Sequence, residues 1–231
     1  YRIVLDGLGG PASTGPLIVN LATNQCKLHM AQTAHHANAD FRFAYGTSLT
    51  QADFDDDGYT DLVVGGIGLV LFGDAESQFT ERLRYGRGGP MELWLMNGSK
   101  PAVMPVPPPV VVDLDGDGEL DIITAEQSLN RIAIAYGTGA RGFEPEVHVA
   151  TGNEPFWLAV ADMNNDGADD LVVSTLGDKA IEIYHRDAPR EYGSPQVIDV
   201  GGLVVNGLLF DDDDDGRLDF ILRNYGGLHQ R

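Results

Sequence analysis

The feature that most constrains this chain is a nine-residue acidic motif that occurs four times. Residues 53–66 read DFDDDGYTDLVVGG, with carboxylates at positions one, three, five and nine of the motif and glycine at position six. The pattern begins again at Asp113, Asp162 and Asp211. The first aspartates are 60, 49 and 49 residues apart, and such a period is typical of a β repeat such as a propeller blade.

The spacing of the carboxylates predicts a calcium loop. Ca²⁺ takes six to eight oxygen ligands at about 2.3–2.6 Å, and a tight loop supplies them by turning every second side chain inward. Glycine at position six allows the positive φ that the turn requires. The predicted side-chain ligands are Asp53, Asp55, Asp57 and Asp61 in loop 1, Asp113, Asp115, Asp117 and Asp121 in loop 2, Asp162, Asn164, Asp166 and Asp170 in loop 3, and Asp211, Asp213, Asp215 and Asp219 in loop 4.

The seventh residue of each loop is predicted to add its main-chain carbonyl oxygen. These residues are Tyr59, Glu119, Ala168 and Arg217. We therefore expect up to four bound Ca²⁺ ions, one in each loop. Asn164 replaces an acid in loop 3, so that site is predicted to be the weakest if the number of charged ligands governs affinity.

An EF-hand begins with the same spacing, but it needs a bidentate Glu at position twelve and a helix on each side. Position twelve is occupied by Val64, Thr124, Val173 and Leu222. The residues after each loop are mostly aliphatic or β-branched, as a buried strand requires (62–64, 122–124, 171–173 and 220–222). The motif therefore predicts a loop that leads into a strand. The alternative, four solvated acidic turns that bind nothing, does not explain why the spacing is kept four times.

The formal net charge of −20 is concentrated in these loops, which hold 20 of the 35 acidic residues. Bound calcium would relieve their mutual repulsion. A chain this acidic, without clusters of Lys and Arg, is not expected to bind nucleic acid.

Cys26 is the single cysteine, so an intrachain disulfide is excluded and calcium is the alternative stabiliser. Loops with the affinities of extracellular modules fill where calcium is abundant, which predicts a secreted or cell-surface setting. The sequence contains no apolar run long enough for a membrane span and no recognisable signal peptide. Because it starts at Tyr1 and not at Met, we expect a processed or truncated product.

The N-terminal part, residues 1–40, precedes the repeats. Strands are predicted at residues 1–5 and 17–21, and the segment that follows is expected to be a polar loop or an irregular edge strand. It contains Cys26, His29, His35 and His36, whose spacing matches no zinc pattern.

Four strands are predicted in each repeat, and in the third repeat they cover residues 156–161, 171–175, 180–185 and 196–200. Three short motifs, LFG at 71–73, AYG at 135–137 and IYH at 183–185, are followed by Phe79, Phe143 and Tyr192. These aromatic residues are expected to pack between blades. The first repeat spans 60 residues against 49 in the others, and the extra residues lie within 91–109, which contains a predicted strand near Trp94 and an extended run at Pro107–Pro109.

Loops of the form DxDxDGxxDLxVG that recur with FG or YG between them resemble FG-GAP and VCBS repeats, which occur in integrin α-subunit heads and in many secreted microbial proteins. The resemblance covers residues 41–225. It implies an all-β fold, a β-propeller of four-stranded antiparallel blades in which each calcium loop joins the first two strands of a blade. It also implies that ligands bind the face opposite the loops or the grooves between blades.

The sequence predicts a single propeller domain over residues 1–231, with repeats centred on loops 53–61, 113–121, 162–170 and 211–219. Twelve residues follow Asp219, enough for one more strand. Residues 1–40 are therefore predicted to help close the ring, as N-terminal strands do in many propellers. Four or five blades are expected, and the alternative is that the chain forms part of a larger ring.

The function expected from these features is a non-enzymatic, calcium-stabilised binding or adhesion module whose partner is a glycan, a protein or another copy of the chain. Trp94 and Trp157 are the aromatic residues to test for sugar stacking, although both are expected in the core. The alternative is a polysaccharide lyase or hydrolase, which requires convergent acids and bases. Candidates outside the loops are Glu92, Glu126, Glu144, Glu146, Glu154 and Glu182, with Arg131, His148 and His185.

Overall fold

The structure is a computed structural model. It describes residues 48–66, 68–75, 79, 81–86, 107–139 and 141–223 in full, together with the backbone of residues 2–5, 17–20, 25–28, 93–94, 102–103 and 224–225. Within these residues it contains 21 strands and one 3₁₀ turn, Gln127–Leu129. The predicted all-β class is confirmed.

The first strands form a three-stranded antiparallel sheet, β1 (Arg2–Leu5), β2 (Leu17–Asn20) and β3 (Gln25–Leu28). The two predicted N-terminal strands are therefore present, and β3 runs through Cys26. The prediction for residues 29–40, including His29, His35 and His36, lies outside the described residues, as do the side chains of Cys26 and Trp94.

Three four-stranded antiparallel sheets follow, and we call them blades A, B and C. Blade A consists of β4 (Leu49–Ala52), β5 (Asp61–Val64), β6 (Leu69–Phe72) and β7 (Glu81–Arg84). The short pair β8 (Leu93–Trp94) and β9 (Ala102–Val103) lies between blades A and B in sequence. Blade B consists of β10 (Val110–Val112), β11 (Asp121–Glu126), β12 (Arg131–Ala135) and β13 (Val147–Ala150).

Blade C consists of β14 (Pro155–Ala161), β15 (Asp170–Thr175), β16 (Ala180–Tyr184) and β19 (Gln196–Asp199). The four strands predicted for this repeat are confirmed within one residue at each end. In all three blades the acidic loop joins the first strand to the second, as the resemblance implied. All residues of β15 and β16 are buried, whereas the fourth strands β7, β13 and β19 are mainly exposed. The fourth strand is thus the outer edge of each blade.

The hydrophobic core lies between blades. Phe54, Val63 and Phe72 of blade A cluster with Ile122 and Ala135 of blade B. A second cluster joins blades B and C through side chains such as Ile123, Tyr136, Leu158 and Leu171, and a third joins blade C to Val204. Phe143 extends this packing, since its ring meets that of Phe54 edge-on at 5.8 Å between centroids. The predicted inter-blade role is confirmed for Phe143.

The strand register corrects one alignment of the short motifs. Ile122 pairs with Ala135, and Leu171 at the same place in blade C pairs with Tyr184. His185, and not Tyr184, therefore occupies the position of Tyr136, and Arg186 occupies that of Gly137. The sequence also did not indicate the hairpin β17 (Arg186–Ala188) and β18 (Glu191–Tyr192), which lies between the third and fourth strands of blade C.

Loop 4 joins β20 (Leu203–Phe210) to β21 (Asp219–Tyr225), a two-stranded sheet. Leu208 and Ile221 pair across it and are both exposed, with 67% and 57% of their surface accessible. Ser48, directly before β4, and Thr50 within it donate hydroxyl hydrogen bonds to the carbonyls of Pro107 and Pro109 at 2.8 and 2.7 Å, so the extended proline run lies beside blade A. Closure of the ring by residues 1–40 remains a prediction.

Candidate metal centres

The four acidic loops share one set of internal hydrogen bonds. In loop 1 the carboxylate of Asp53 accepts the backbone N–H groups of Asp57 at 3.2 Å and Gly58 at 2.9 Å. The side chain of Asp57 then accepts the N–H of Tyr59 at 2.9 Å. Loops 2, 3 and 4 repeat these three bonds at 2.8–3.1 Å. The motif therefore builds the same turn wherever it occurs.

The backbone enters the left-handed region at two positions of each loop. The sixth-position glycines, Gly58, Gly118, Gly167 and Gly216, have φ of 81–93°, as predicted. The fourth positions, which sequence reasoning overlooked, also have positive φ. They are occupied by residues that tolerate it, Asp56, Gly116, Asn165 and Asp214.

In loops 1, 2 and 4 these turns bring three of the four predicted ligand side chains together. Ligand atoms lie within 4.8 Å of one another in the sets Asp53, Asp55 and Asp57, then Asp113, Asp115 and Asp121, and finally Asp211, Asp213 and Asp219. Hard oxygen ligands converging from a flexible loop suit calcium. In loop 3 the side-chain amide of Asn164 instead donates to Asp166 at 2.8 Å.

Asp55 provides a further sign that loop 1 fits a cation. Its side chain is only 8% exposed, and its Oδ1 atom has no hydrogen-bond partner within the protein. A buried carboxylate oxygen without a partner is costly. A cation at the centre of loop 1 would supply the missing partner.

The ninth-position aspartate bonds to the backbone as well. Asp121 is fully buried, and its two oxygens accept the N–H groups of Leu114 and Gly137, both at 2.8 Å. Asp61 does the same with Phe54 and Gly73 at 2.8 and 2.7 Å. This residue therefore ties the loop to the end of the third strand. In blades A and B this position is glycine, and a Cβ on Gly73 or Gly137 would collide with a loop carbonyl.

Burial opposes the negative charge of these aspartates. The pKa of Asp121 is raised to about 6. Desolvation is the largest cause, the two N–H bonds oppose it, and the nearby Asp115 and Asp117 add a smaller upward contribution. The pKa of Asp61 is raised for the same reason. A bound cation would favour the ionised carboxylates.

Two arginines that the sequence analysis did not single out reach these loops from the next blade. Arg141 pairs with Asp55 of loop 1, and Arg190 pairs with Asp115 of loop 2 at 2.5 Å. Neither lies in the acidic motif, and each is more than 70 residues away from its partner in sequence. The only sequence signal was their shared position two residues before an aromatic, Phe143 or Tyr192.

Four of the candidate enzyme residues lie together in blade B. Glu126 pairs with Arg131, and Glu146 lies 3.7 Å from His148. Burial, with a smaller contribution from Glu126, raises the pKa of Glu146. However, Glu126 is only 1% exposed, so the cluster does not present two carboxylates to a substrate.

The other candidate enzyme residues have separate partners. Glu182 accepts the N–H of Gly152 and the hydroxyl of Tyr184. Glu144 pairs with Arg190, and His185 lies 2.9 Å from Asp170. The backbone N–H of Glu154 donates to Asn130. Glu92 lies outside the described residues.

Trp157 is partly buried. Its side chain packs against the cluster between blade C and the β20–β21 hairpin. The ring lies against Gly207, where an added Cβ would come within 3.0 Å of it. Trp157 therefore packs against the core, as expected, but is not fully buried.

Comparison with known proteins agrees with this architecture. A family model described as "FG-GAP-like repeat" matches residues 113–173, which run from loop 2 through the strand after loop 3. Sequence comparison with curated proteins finds no match. Among the described residues, no helix is long and apolar enough to cross a membrane.

The chain is also similar to a solved structure of a lectin from Agrocybe aegerita, described as showing specific recognition of non-reducing terminal N-acetylglucosamine. The TM-score is 0.55 at 18% identity over 95% of this chain. The chain spans 60% of the length of that lectin chain. Residues 113–173 thus match an FG-GAP-like repeat, and the chain has a β-propeller-like fold.

Proposed function

We propose that the protein is a calcium-stabilised, non-enzymatic binding module that recognises a glycan or a protein outside the cell. The observation that carries the calcium part is the unpartnered, buried Oδ1 atom of Asp55 among three converging carboxylates. The repetition of the same turn in four loops supports one Ca²⁺ in each, with the ligands predicted from the motif.

The loops are suited to stabilise the fold because each connects two strands of one sheet. A cation that binds only the folded protein stabilises it by RT ln(1 + [Ca²⁺]/Kd), about 2.7 kcal/mol for each site at one hundred times Kd. Stabilisation by abundant calcium suits a secreted or cell-surface protein that lacks disulfides.

Calcium dependence is tested by thermal unfolding in excess calcium, in excess magnesium and in EGTA. We expect calcium to raise the Tm by about 2–4 °C for each kcal/mol of binding energy, and magnesium to raise it much less, since it demands a stricter octahedral geometry. An unchanged Tm in EGTA would contradict the calcium part of the proposal.

The glycan proposal is supported by the fold shared with a lectin. A glycan array in calcium, with glycans that end in N-acetylglucosamine beside the same glycans capped by galactose, tests it directly. Binding to any glycan class supports the proposal, whereas a blank array directs the search to protein partners. Light scattering of the same sample tests self-association.

A binding module should leave its glycan intact. Incubation with polysaccharides in calcium is therefore expected to release no reducing ends and no unsaturated uronates. Cleavage that is lost in Glu146→Gln but kept in Glu144→Gln would overturn the non-enzymatic assignment and locate the chemistry at the Glu126, Arg131, Glu146 and His148 cluster.

A further inference from the structure

We propose that Arg141 and Arg190 are positioning residues for loops 1 and 2, and that they couple cation binding in one blade to docking of the next blade. Each guanidinium binds the outer oxygen of the third-position carboxylate and so turns the other oxygen toward the cation. This inference rests on the proposed calcium binding.

The contacts of Arg141 show how the two oxygens of Asp55 divide their roles. The guanidinium binds Oδ2 of Asp55, and it lies 3.6 Å from Oδ2 of Asp57. The Oδ1 atom of Asp55 is left buried and without a partner. One oxygen therefore holds the neighbouring blade, and the other is available to a cation.

Arg190 makes the same two contacts one blade further along. It binds Oδ2 of Asp115 at 2.5 Å and lies 3.6 Å from Oδ2 of Asp117. The Oδ1 atom of Asp115 accepts the N–H of Asp117 at 3.2 Å, which leaves its second lone pair for a cation. Both arginines have the same left-handed backbone, with φ of 63° and 64°. In blade B the N–H of Gly137 bonds to the ninth-position aspartate, and Arg141 lies four residues later. In blade C the N–H of Arg186 makes this bond, and Arg190 again lies four residues later. The two arginines are therefore structurally equivalent.

The surroundings of the two guanidinium groups are equivalent as well. Arg141 lies over the ring of Phe72 at 4.7 Å and also binds Glu81. Arg190 lies over the ring of Tyr136 at 4.2 Å and binds Glu144 at 2.9 Å. In both blades this Glu is the residue across the ladder from the aromatic: Glu81 pairs with Phe72, and the N–H of Glu144 donates to the carbonyl of Tyr136.

A planar group that is stacked on a ring and bonded to carboxylates is held in one orientation. Arginine suits this position because its guanidinium is flat and presents several donors in a rigid fork, whereas lysine carries a compact point charge. In loop 3 the third-position side chain is held by a residue of the same loop, because the amide of Asn164 donates to Oδ2 of Asp166. We therefore expect only the first two loops to depend on these arginines.

The test compares Arg141→Lys and Arg190→Lys with Arg131→Lys, a control of equal charge whose partner, Glu126, is not in a loop. Calcium affinity is measured by calorimetry. Luminescence of Tb³⁺ bound in loop 1 is excited through the nearby ring of Tyr59, and the signal that is lost in Tyr59→Phe identifies this site. We expect each loop variant to weaken one site about tenfold, the lower end of the effect seen for outer residues that orient metal ligands. Circular dichroism in EGTA checks that each variant folds.

Glu81→Gln provides a second test at a side chain that is 65% exposed. It removes one contact of Arg141 without changing the loop, so it is expected to weaken the same site to a smaller extent. Unchanged or tighter binding in both Arg141→Lys and Glu81→Gln would overturn the inference while the calcium proposal stands. No calcium binding by the unmodified protein would instead overturn the calcium proposal itself.

Discussion

Loops 2 and 4 contain the same motif in different surroundings. The hydrogen bonds that they share agree within 0.1 Å, since Asp113 and Asp211 both accept the N–H groups of the fifth and sixth residues at 2.8–3.1 Å. Asp113 also accepts the N–H of Gly116 at 2.8 Å. Their ninth positions differ. Asp121 is fully buried and bonds to Gly137 at the end of the third strand, whereas Asp219 is exposed and accepts the N–H of Asp212 at 3.0 Å.

The comparison separates two roles within one motif. Positions one to seven form a turn that needs only its own residues. Position nine joins that turn to the third strand of its blade. In the fourth repeat the described residues form only two strands, so Asp219 has no third strand among them to join. Among the described residues, loop 4 therefore shows the turn in a two-stranded sheet, where it also accepts a bond from Asn165 of loop 3 at 2.7 Å, and loop 2 shows the turn integrated into a four-stranded blade.

The largest expected effect is at position nine. Asp121→Ala removes the acceptor of two buried N–H groups, each of which costs about 1–3 kcal/mol when it is left unpaired. We expect it to lower the free energy of unfolding by about 3 kcal/mol, and Asp219→Ala to lower it by less than about 1 kcal/mol. Urea denaturation in EGTA measures both without the contribution of metal binding. Equal losses in the two variants would show that the bond to the third strand adds no stability beyond that of the bond within the loop.

Position six should give equal effects in the two loops. Gly118 and Gly216 both have positive φ, and an added Cβ at either would meet no atom within 4 Å. Alanine is therefore expected to cost about 1 kcal/mol at each site, through backbone strain alone. A difference larger than that cost, measured by the same urea denaturation, would show that the surrounding blade also shapes the turn.

The smallest expected effect is at loop 3. Asn164→Asp restores the acid that loops 1, 2 and 4 have at position three, so we expect its calcium site to tighten about threefold. Gln196→Glu adds the same charge at an exposed position of the outer strand of blade C and serves as the control. Calorimetric titration compares them. A weaker site in Asn164→Asp would show that the amide bond to Asp166 matters more than the number of charges.

Much of the blade was predictable from single residues. The strand after each loop followed from its aliphatic residues, and the strands of blade C were placed within one residue. The β17–β18 hairpin was not predicted, because RDAPREY contains the proline and charged residues that are usual in a loop. The motif alignment was also wrong by one residue in blade C, because the sequence contains His185 and Arg186 where the other blades have an aromatic residue and glycine.

The sequence by itself determined the acidic turns, because each of their shared hydrogen bonds joins residues no more than five apart. Tertiary structure decided which of the ninth-position aspartates are buried and which loops are bridged to the next blade by an arginine. The bond from Arg141 to Asp55 joins residues 86 apart, and that from Arg190 to Asp115 joins residues 75 apart. Such contacts depend on how adjacent blades pack, which no local spacing encodes.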